Sequence, residues 1–155
     1  MPLADLVLPN AILPALKVNS KKQALQELAA RAAALTGQSE RAVLDVLTQR
    51  EKLGSTGVGN GIAIPHGKLP NLGKLFGLFA RLDRPIDFDA LDGQPVDLVF
   101  ALIVPEDSTE EHLQILSGIA ALFSNPAFCS SIRECRNDAC LLQQFTHRDV
   151  QQKTA

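Results

Sequence analysis

A histidine set among glycines is the residue whose chemistry stands out in this sequence. Residues 55–68 read STGVGNGIAIPHGK and contain four glycines around His66. Imidazole is a good nucleophile near neutral pH because its unperturbed pKa is about 6.5. Glycines leave backbone N–H groups accessible, and successive N–H groups in a turn can form an anion cradle. The stretch therefore predicts a site that holds a phosphoryl group on His66.

Two familiar nucleotide-binding motifs do not match this stretch. Gly57, Gly59 and Gly61 form GxGxG, and Ile62 stands where the dinucleotide fingerprint needs its third glycine. The P-loop pattern has one residue too many between its glycines, and Leu69 replaces the hydroxyl residue that binds magnesium. With three histidines and no HExxH, the sequence predicts no metal site and no cofactor. A structural histidine beside a glycine turn stays open as the alternative to a functional one.

Composition excludes several function classes. The 155 residues are 46% hydrophobic with a formal net charge of -2, which favours one globular domain and disfavours a nucleic-acid binder. The longest apolar run, at 98–104, is too short to span a bilayer, and the first residues lack a basic region typical of a signal peptide. We therefore expect a single domain over 1–155 with a polar tail at about 148–155, located in the cytoplasm and without membrane insertion.

The cysteines indicate no special chemistry. Cys129, Cys135 and Cys140 are odd in number and form neither a CxxC pair nor zinc-site spacing. The sequence predicts ordinary thiols in a reducing compartment, with no disulfide.

Two helices must precede the glycine stretch. Ser20 and Gln23 form a capping-box pattern, and Gly37 suits the end of the helix that they begin. Ser39 is a plausible cap for a second helix that ends near Gly54 and carries Arg50 in its last turns.

Strands and further helices follow the glycine stretch. Extended segments are predicted at 62–65, 74–82 and 96–104, with a polar turn region at 85–93. Helices are predicted from the Ser108 and Glu111 capping pair to Phe123, after Asn125-Pro126, and over about 137–146. This pattern predicts an α/β fold, a single domain with a mixed β-sheet flanked by α-helices.

The strings REKLGSTGVGNGIAIPHGK (50–68) and EEHLQILSGIA (110–120) resemble a known family. They are similar to the mannitol- and fructose-type IIA components of the bacterial phosphoenolpyruvate-dependent phosphotransferase system, most of all its nitrogen-related branch (IIA-Ntr). The likeness covers most of the chain. It implies that His66 accepts a phosphoryl group from a phosphohistidine on an HPr-like carrier, NPr in the nitrogen branch. It also implies regulatory target proteins, such as regulators of potassium transport.

The resemblance also implies roles for other residues. By motif position, Arg50 and His112 match the arginine and second histidine that stand beside the acceptor in the family. Arg50 would offer a planar fork of donors to the phosphoryl oxygens, and His112 a hydrogen bond. Further candidates for the phosphoryl cradle are Ser55, Thr56, Asn60 and Gly67. Because another protein must reach His66, we expect an apolar docking rim made by Leu69, Leu72 and Phe76, although Phe76 fits the core equally well.

Three other functions remain open at this point. A sugar-specific IIA component would pass its phosphate to a IIB protein. A pure binding module would act by contact alone, without phosphorylation. A histidine-dependent hydrolase would need an orienting carboxylate, for which Asp92 and Asp97 are available.

Overall fold

The chain folds into a mixed β-sheet with helices packed on it. The computed structural model describes residues 9–107 and 109–146, which form six strands and five α-helices. The strands are β1 Ile12–Leu16, β2 Gly57–Gly59, β3 Ile62–Ala63, β4 His66–Leu69, β5 Phe76–Ile86 and β6 Val96–Pro105. The helices are α1 Lys21–Thr36, α2 Glu40–Lys52, α3 Thr109–Phe123, α4 Pro126–Glu134 and α5 Asp138–Thr146. The predicted fold class is confirmed.

The sheet has the strand order β1-β5-β6-β3-β2, and β4 also pairs with β6. Both β3 and β4 run parallel to β6, with Ile62 opposite Leu98 and His66 opposite Leu102. They follow one another along β6 with a break at Ile64 and Pro65, and Pro65 still accepts a hydrogen bond from the Leu102 N–H. The break makes His66 the first residue of a new strand. The sequence predicted extension at 62–65 but missed β1, β2 and β4.

The helices before the site begin and end close to their predicted caps. Ser20 accepts from the Gln23 N–H, whereas the Gln23 side chain accepts from Asn19 rather than from Ser20. Gly37 ends α1 in the left-handed region, at φ 77°. Ser39 caps α2 by accepting from the Ala42 N–H.

The second half of the chain largely follows prediction. Strand β6 and helix α5 lie where they were predicted, and Asn125 caps α4 with its side chain. Strand β5 runs through Pro85 to Ile86, so the predicted polar turn begins later than expected. A register shift between Arg81 and Ile86 accommodates Pro85, which has no N–H to donate. Ser108, the side chain of Glu111, His147 and the tail lie outside the described residues, so the predictions about them stay predictions.

Five phenylalanines join the sheet to the three C-terminal helices. Phe79 of β5 and Phe100 of β6 are opposite each other in the sheet. Phe123, Phe128 and Phe145, one from each of α3, α4 and α5, pack with them, with ring centroids 5.0 to 6.4 Å apart. Burying rings of this size is a major contribution to folding, and here it sets the position of α3 on the sheet.

The prediction of three ordinary thiols was wrong. Cys135 and Cys140 form a disulfide, and Cys129 is a buried free thiol. Cys135 directly follows α4 and Cys140 lies in the first turn of α5, so the corner between these helices brings their Cα atoms to 5.5 Å. The prediction rests on the odd number of cysteines and on the absence of CxxC and zinc-site spacings. Neither pattern identifies two cysteines that meet at a corner between helices.

The described helices include none that is both long and apolar enough to cross a bilayer alone. The helical segments 112–123 and 126–134 together reach that length and composition, but the chain bends by 74° between them.

Candidate functional site

The His66 ring is held by a backbone hydrogen bond. Its Nδ1 lies 2.9 Å from the carbonyl oxygen of Ile64, two residues earlier and within the break between β3 and β4. A carbonyl oxygen only accepts, so Nδ1 carries the proton of the neutral ring and donates it. The lone pair is therefore on Nε2.

Arg50 meets that second nitrogen. Its Nε lies 3.2 Å from Nε2 of His66 and donates to it, while Nη1 donates to the Gly54 carbonyl at 2.8 Å. Arg50 belongs to the last turn of α2, and Gly54 to the turn that follows. One part of the guanidinium is thus anchored to the backbone and another faces the unprotonated nitrogen of His66.

A close approach of α2 to β4 makes this contact feasible. A Cβ atom on Gly67 would lie 2.7 Å from Cγ2 of Val46, closer than real contacts allow. Glycine at position 67 therefore lets the helix lie against the strand, one residue after His66.

His112 lies on the other side of the His66 ring. The ring centroids are 5.5 Å apart with an interplanar angle of 65°. His112 comes from α3 and is only 8% exposed. Its Nε2 is buried and has no hydrogen-bond partner among the described residues. An unsatisfied buried polar atom is unfavourable, and beside a second imidazole and a guanidinium it indicates a ligand that completes the site.

These side chains surround a pocket of about 370 Å³. Its lining consists of Val46, Gln49, Arg50, Leu53, His66, Gly67, Lys68 and His112. Sequence reasoning missed Lys68, Gln49 and Leu53. The two-residue period of a strand places Lys68 on the same face as His66, so recognising β4 would have found it. Arg50 and Lys68 make the pocket suitable for an anion.

The pKa values of His66 and His112 are both lowered, which favours the neutral form of each ring. Burial is the main cause that lowers the pKa of His66, and the Arg50 charge lowers it further against the opposing hydrogen bond to Ile64. Burial also lowers the pKa of His112, followed by the charges of His66 and Lys68. Neutral imidazoles at physiological pH keep a lone pair for nucleophilic attack and an N–H for donation.

Three of the predicted cradle residues have other contacts. The Ser55 hydroxyl donates to the Phe88 carbonyl, and the Asn60 N–H donates to the Asp92 carboxylate. Thr56 is buried and its hydroxyl donates to Glu51. None of the three lines the His66 pocket, whereas Gly67 does.

Glu51 is a structural residue of the site that sequence reasoning missed. It is buried next to Arg50 in the chain, and its carboxylate accepts from both the N–H and the hydroxyl of Thr56. Lys21 neutralises it with an ion pair of 2.9 Å. These bonds tie the turn after α2 to the helix, and that turn includes Gly54, the anchor of Arg50.

The expected apolar rim was wrong for Leu69, which is buried in the core because alternate residues of β4 face inward. Phe76 is also buried, which agrees with the core position that the sequence left open for it, and Leu72 is half-buried. The exposed apolar side chains near the site are instead Leu53, 84% exposed, and Leu113, 62% exposed.

Other chemistries find little support in the described residues. Asp97 is paired with Arg133, Asp92 accepts from backbone N–H groups, and neither lines the pocket, so an orienting carboxylate for a hydrolase is lacking there. The described part of the chain contains no group of three or more histidine, cysteine or acidic side chains that could hold a metal ion.

Residues 6–148 match the protein family described as the phosphoenolpyruvate-dependent sugar phosphotransferase system, EIIA 2. The chain belongs to this family. It is 66% identical over 137 residues to a nitrogen regulatory protein of Bradyrhizobium diazoefficiens, a match that spans 88% of the chain and 90% of that relative. The identification predicted from residues 50–68 and 110–120 is confirmed.

Solved structures agree with this family assignment. The crystal structure of the nitrogen regulatory protein IIA-Ntr from Neisseria meningitidis is similar, with a TM-score of 0.88 and 36% identity over 93% of this chain and 99% of that one. An Escherichia coli mannitol IIA, solved in complex with phosphorylated mannitol IIB, shares the fold with a TM-score of 0.75 and 17% identity, over 92% of this chain and 98% of that one.

Proposed function

We propose that this IIA family member is a phosphoryl carrier and regulatory protein of the nitrogen-related phosphotransferase system in the cytoplasm. His66 would accept a phosphoryl group from a phosphohistidine on an HPr-like carrier, NPr. Target proteins would then be regulated by contact, with regulators of potassium transport among them. The high identity to a nitrogen regulatory protein supports the nitrogen branch over the sugar branch.

The observation that carries this proposal is the orientation of the His66 ring. Because Nδ1 donates to the Ile64 carbonyl, Nε2 is the unprotonated nitrogen, whose lone pair can attack phosphorus once Arg50 turns away from it. In the transfer, the P–Nε2 bond forms as the P–N bond of the donor breaks, and the donor imidazole leaves with that electron pair. The Ile64 carbonyl stabilises the positive charge that the His66 ring acquires.

The surrounding cations and the second histidine suit the charge of the phosphoryl group. Arg50 would turn its Nε donation from Nε2 to a phosphoryl oxygen, while its Nη1 stays anchored on Gly54. The unpartnered Nε2 of His112 supplies another hydrogen bond, and Lys68 a further positive charge. Hydrogen bonds to charged groups contribute roughly 1.5–3 kcal/mol each. Phosphoryl transfer depends mostly on such positioning and charge stabilisation.

Regulation by contact follows from where the phosphoryl group would sit. Leu53 lines the pocket and is highly exposed, so a target protein that packs on it also senses the charge on His66. A phosphoryl group adds about two negative charges, which changes the electrostatic potential of that surface. Phosphorylated and unphosphorylated forms would therefore bind a target with different affinities.

The test is the intact mass of the chain after incubation with phosphoenolpyruvate, enzyme I and either NPr or a sugar-branch HPr. We expect an acid-labile gain of one phosphoryl group, faster with NPr. The gain should vanish in His66→Ala and persist in His147→Ala, a control at the third histidine of the sequence.

Other results would favour the alternatives. Rapid onward transfer from His66 to a IIB protein, with HPr as the better donor, would indicate a sugar-specific component. No gain with any donor that phosphorylates a control IIA protein would refute the carrier role and leave a binding module that acts by contact alone.

A further inference from the structure

A second pocket, of about 430 Å³, lies between α1 and α2, and the proposed transfer does not use it. Its lining consists of Lys21, Lys22, Leu25, Gln26, Leu44, Thr48, Glu51 and Lys52. Leu25 is buried and Leu44 half-buried, so both contribute apolar wall. The volume falls within the range of roughly 300–1,000 Å³ that small-molecule sites occupy.

The charges around this pocket do not balance. Lys21 pairs with Glu51 at 2.9 Å, which neutralises the one acidic residue of the lining. Lys22 and Lys52 are exposed, and neither forms an ion pair with any other described residue. Among the lining residues, three lysines against one glutamate leave two positive charges beside an apolar wall; Asp89, which is exposed and outside the lining, lies 3.6 Å from Lys21 and not at Lys22 or Lys52.

This combination selects a ligand with two parts. An apolar body gains free energy by covering the leucine side chains, and an anionic group gains it from the unpaired lysines. A neutral ligand would leave the lysines without a partner, and a cationic one would be repelled.

We propose that the pocket between α1 and α2 binds a small amphipathic anion, an apolar body of metabolite size that carries one carboxylate or phosphate group. The anion would sit between Lys22 and Lys52 with its body on Leu25 and Leu44. This site is separate from the His66 pocket, with which it shares no lining residue.

Occupancy of this pocket is coupled to the His66 site through Glu51. Lys21 lines the same pocket, so an anion held by Lys22 and Lys52 also attracts it away from Glu51, which is bonded to Thr56 in the turn that anchors Arg50. With Lys21 drawn away, the buried carboxylate of Glu51 is less neutralised, and this charge lies next in the chain to Arg50, which contacts Nε2 of His66. The ligand would thus be sensed at His66 without touching it.

The experiment is an NMR titration of the complete, unphosphorylated chain with octanoate and with octyl phosphate as probes. We expect saturable shifts of amides in α1 and α2 with either anion, and a smaller shift of the His66 ring resonances. 1-Octanol and octylamine, which have the same chain length, should bind at least several-fold more weakly. Equal binding of octanol, or no saturable binding of either anion, would overturn the site. Saturation without a shift at His66 would overturn the coupling.

Variants test the two unpaired lysines directly. Lys22→Gln combined with Lys52→Gln should weaken octanoate binding by roughly five- to thirtyfold, because an exposed ion pair contributes up to about 1 kcal/mol. Lys17→Gln combined with Lys74→Gln removes the same charge at two exposed positions outside the pocket and should leave binding unchanged. Equal affinity of the two double variants, both folded by circular dichroism, would show that the anion is not recognised in this pocket.

Discussion

Gly67→Ala should damage both the stability of the chain and the geometry of His66. The new Cβ would lie 2.7 Å from Cγ2 of Val46 and 3.3 Å from its carbonyl carbon, so it meets backbone as well as side chain. Ordinary contact begins at 3.4 Å, so β4 and α2 must separate by about 0.7 Å. Overpacking of this kind destabilises a protein by about 1–3 kcal/mol.

The same displacement reaches the candidate site. If β4 and α2 separate by that amount, the distance between Arg50 Nε and His66 Nε2 increases from 3.2 Å to beyond hydrogen-bond length. With Arg50 farther away, one of the causes that lower the pKa of His66 weakens, so this pKa should rise toward its ordinary value.

The assay is urea unfolding followed by far-UV circular dichroism, because the chain has no Trp or Tyr. NMR titration of the His66 ring gives the second readout. Gly73→Ala is the matched control, since a Cβ there meets nothing within 4 Å. Val46→Ala in the Gly67→Ala background removes the nearest clashing atom and should restore part of both properties. If Gly67→Ala unfolds at the same urea concentration as Gly73→Ala, with an unchanged His66 titration, the close approach of α2 to β4 does not constrain the site.

Three further predictions concern other parts of the chain. Reduction of the Cys135–Cys140 disulfide by dithiothreitol should lower the free energy of unfolding by about 2 kcal/mol, estimated for a loop of this size; the double serine variant should not respond to the reductant. The pKa values of His66 and His112 in the folded chain should lie below the ordinary value of about 6.5, so the unfolded chain binds protons more readily than the folded one. The free energy of unfolding should therefore be largest above about pH 6.5 and should fall as the pH drops below it. His112→Phe should reduce that loss. An unfolding free energy that does not change between about pH 7 and pH 5 would contradict this assignment. Gly61→Ala should destabilise by about 1–3 kcal/mol, because φ is +83° and a Cβ would lie 2.6 Å from a guanidinium nitrogen of α4. Gly37→Ala is the control, because Gly37 is also left-handed but a Cβ there meets nothing within 4 Å. It measures the backbone strain alone, so equal losses of stability in the two variants would show that the clash contributes nothing.

Local sequence patterns predicted the elements whose causes are local. The hydroxyls of Ser20 and Ser39 cap α1 and α2, and the carboxamide of Asn125 caps α4, because each bonds a backbone N–H two or three residues away. The apolar run at 98–104 became part of the strand β6, which is buried because neighbouring strands and packed helices cover it on both faces. The short strand β4 escaped prediction because its pairing partner, β6, lies more than thirty residues away.

The sequence by itself singled out His66 as the candidate phosphoryl acceptor and indicated which family the chain belongs to, because the string from 50 to 68 resembles that family. Tertiary structure decided which nitrogen of His66 is unprotonated, since the Ile64 carbonyl faces Nδ1 only after β3 and β4 have docked on β6. It also decided that Lys68 and Leu53 share the pocket and that Leu69 does not. The positions of side chains from α2, α3 and β4 depend on packing between elements distant in sequence, and no local pattern contains that information.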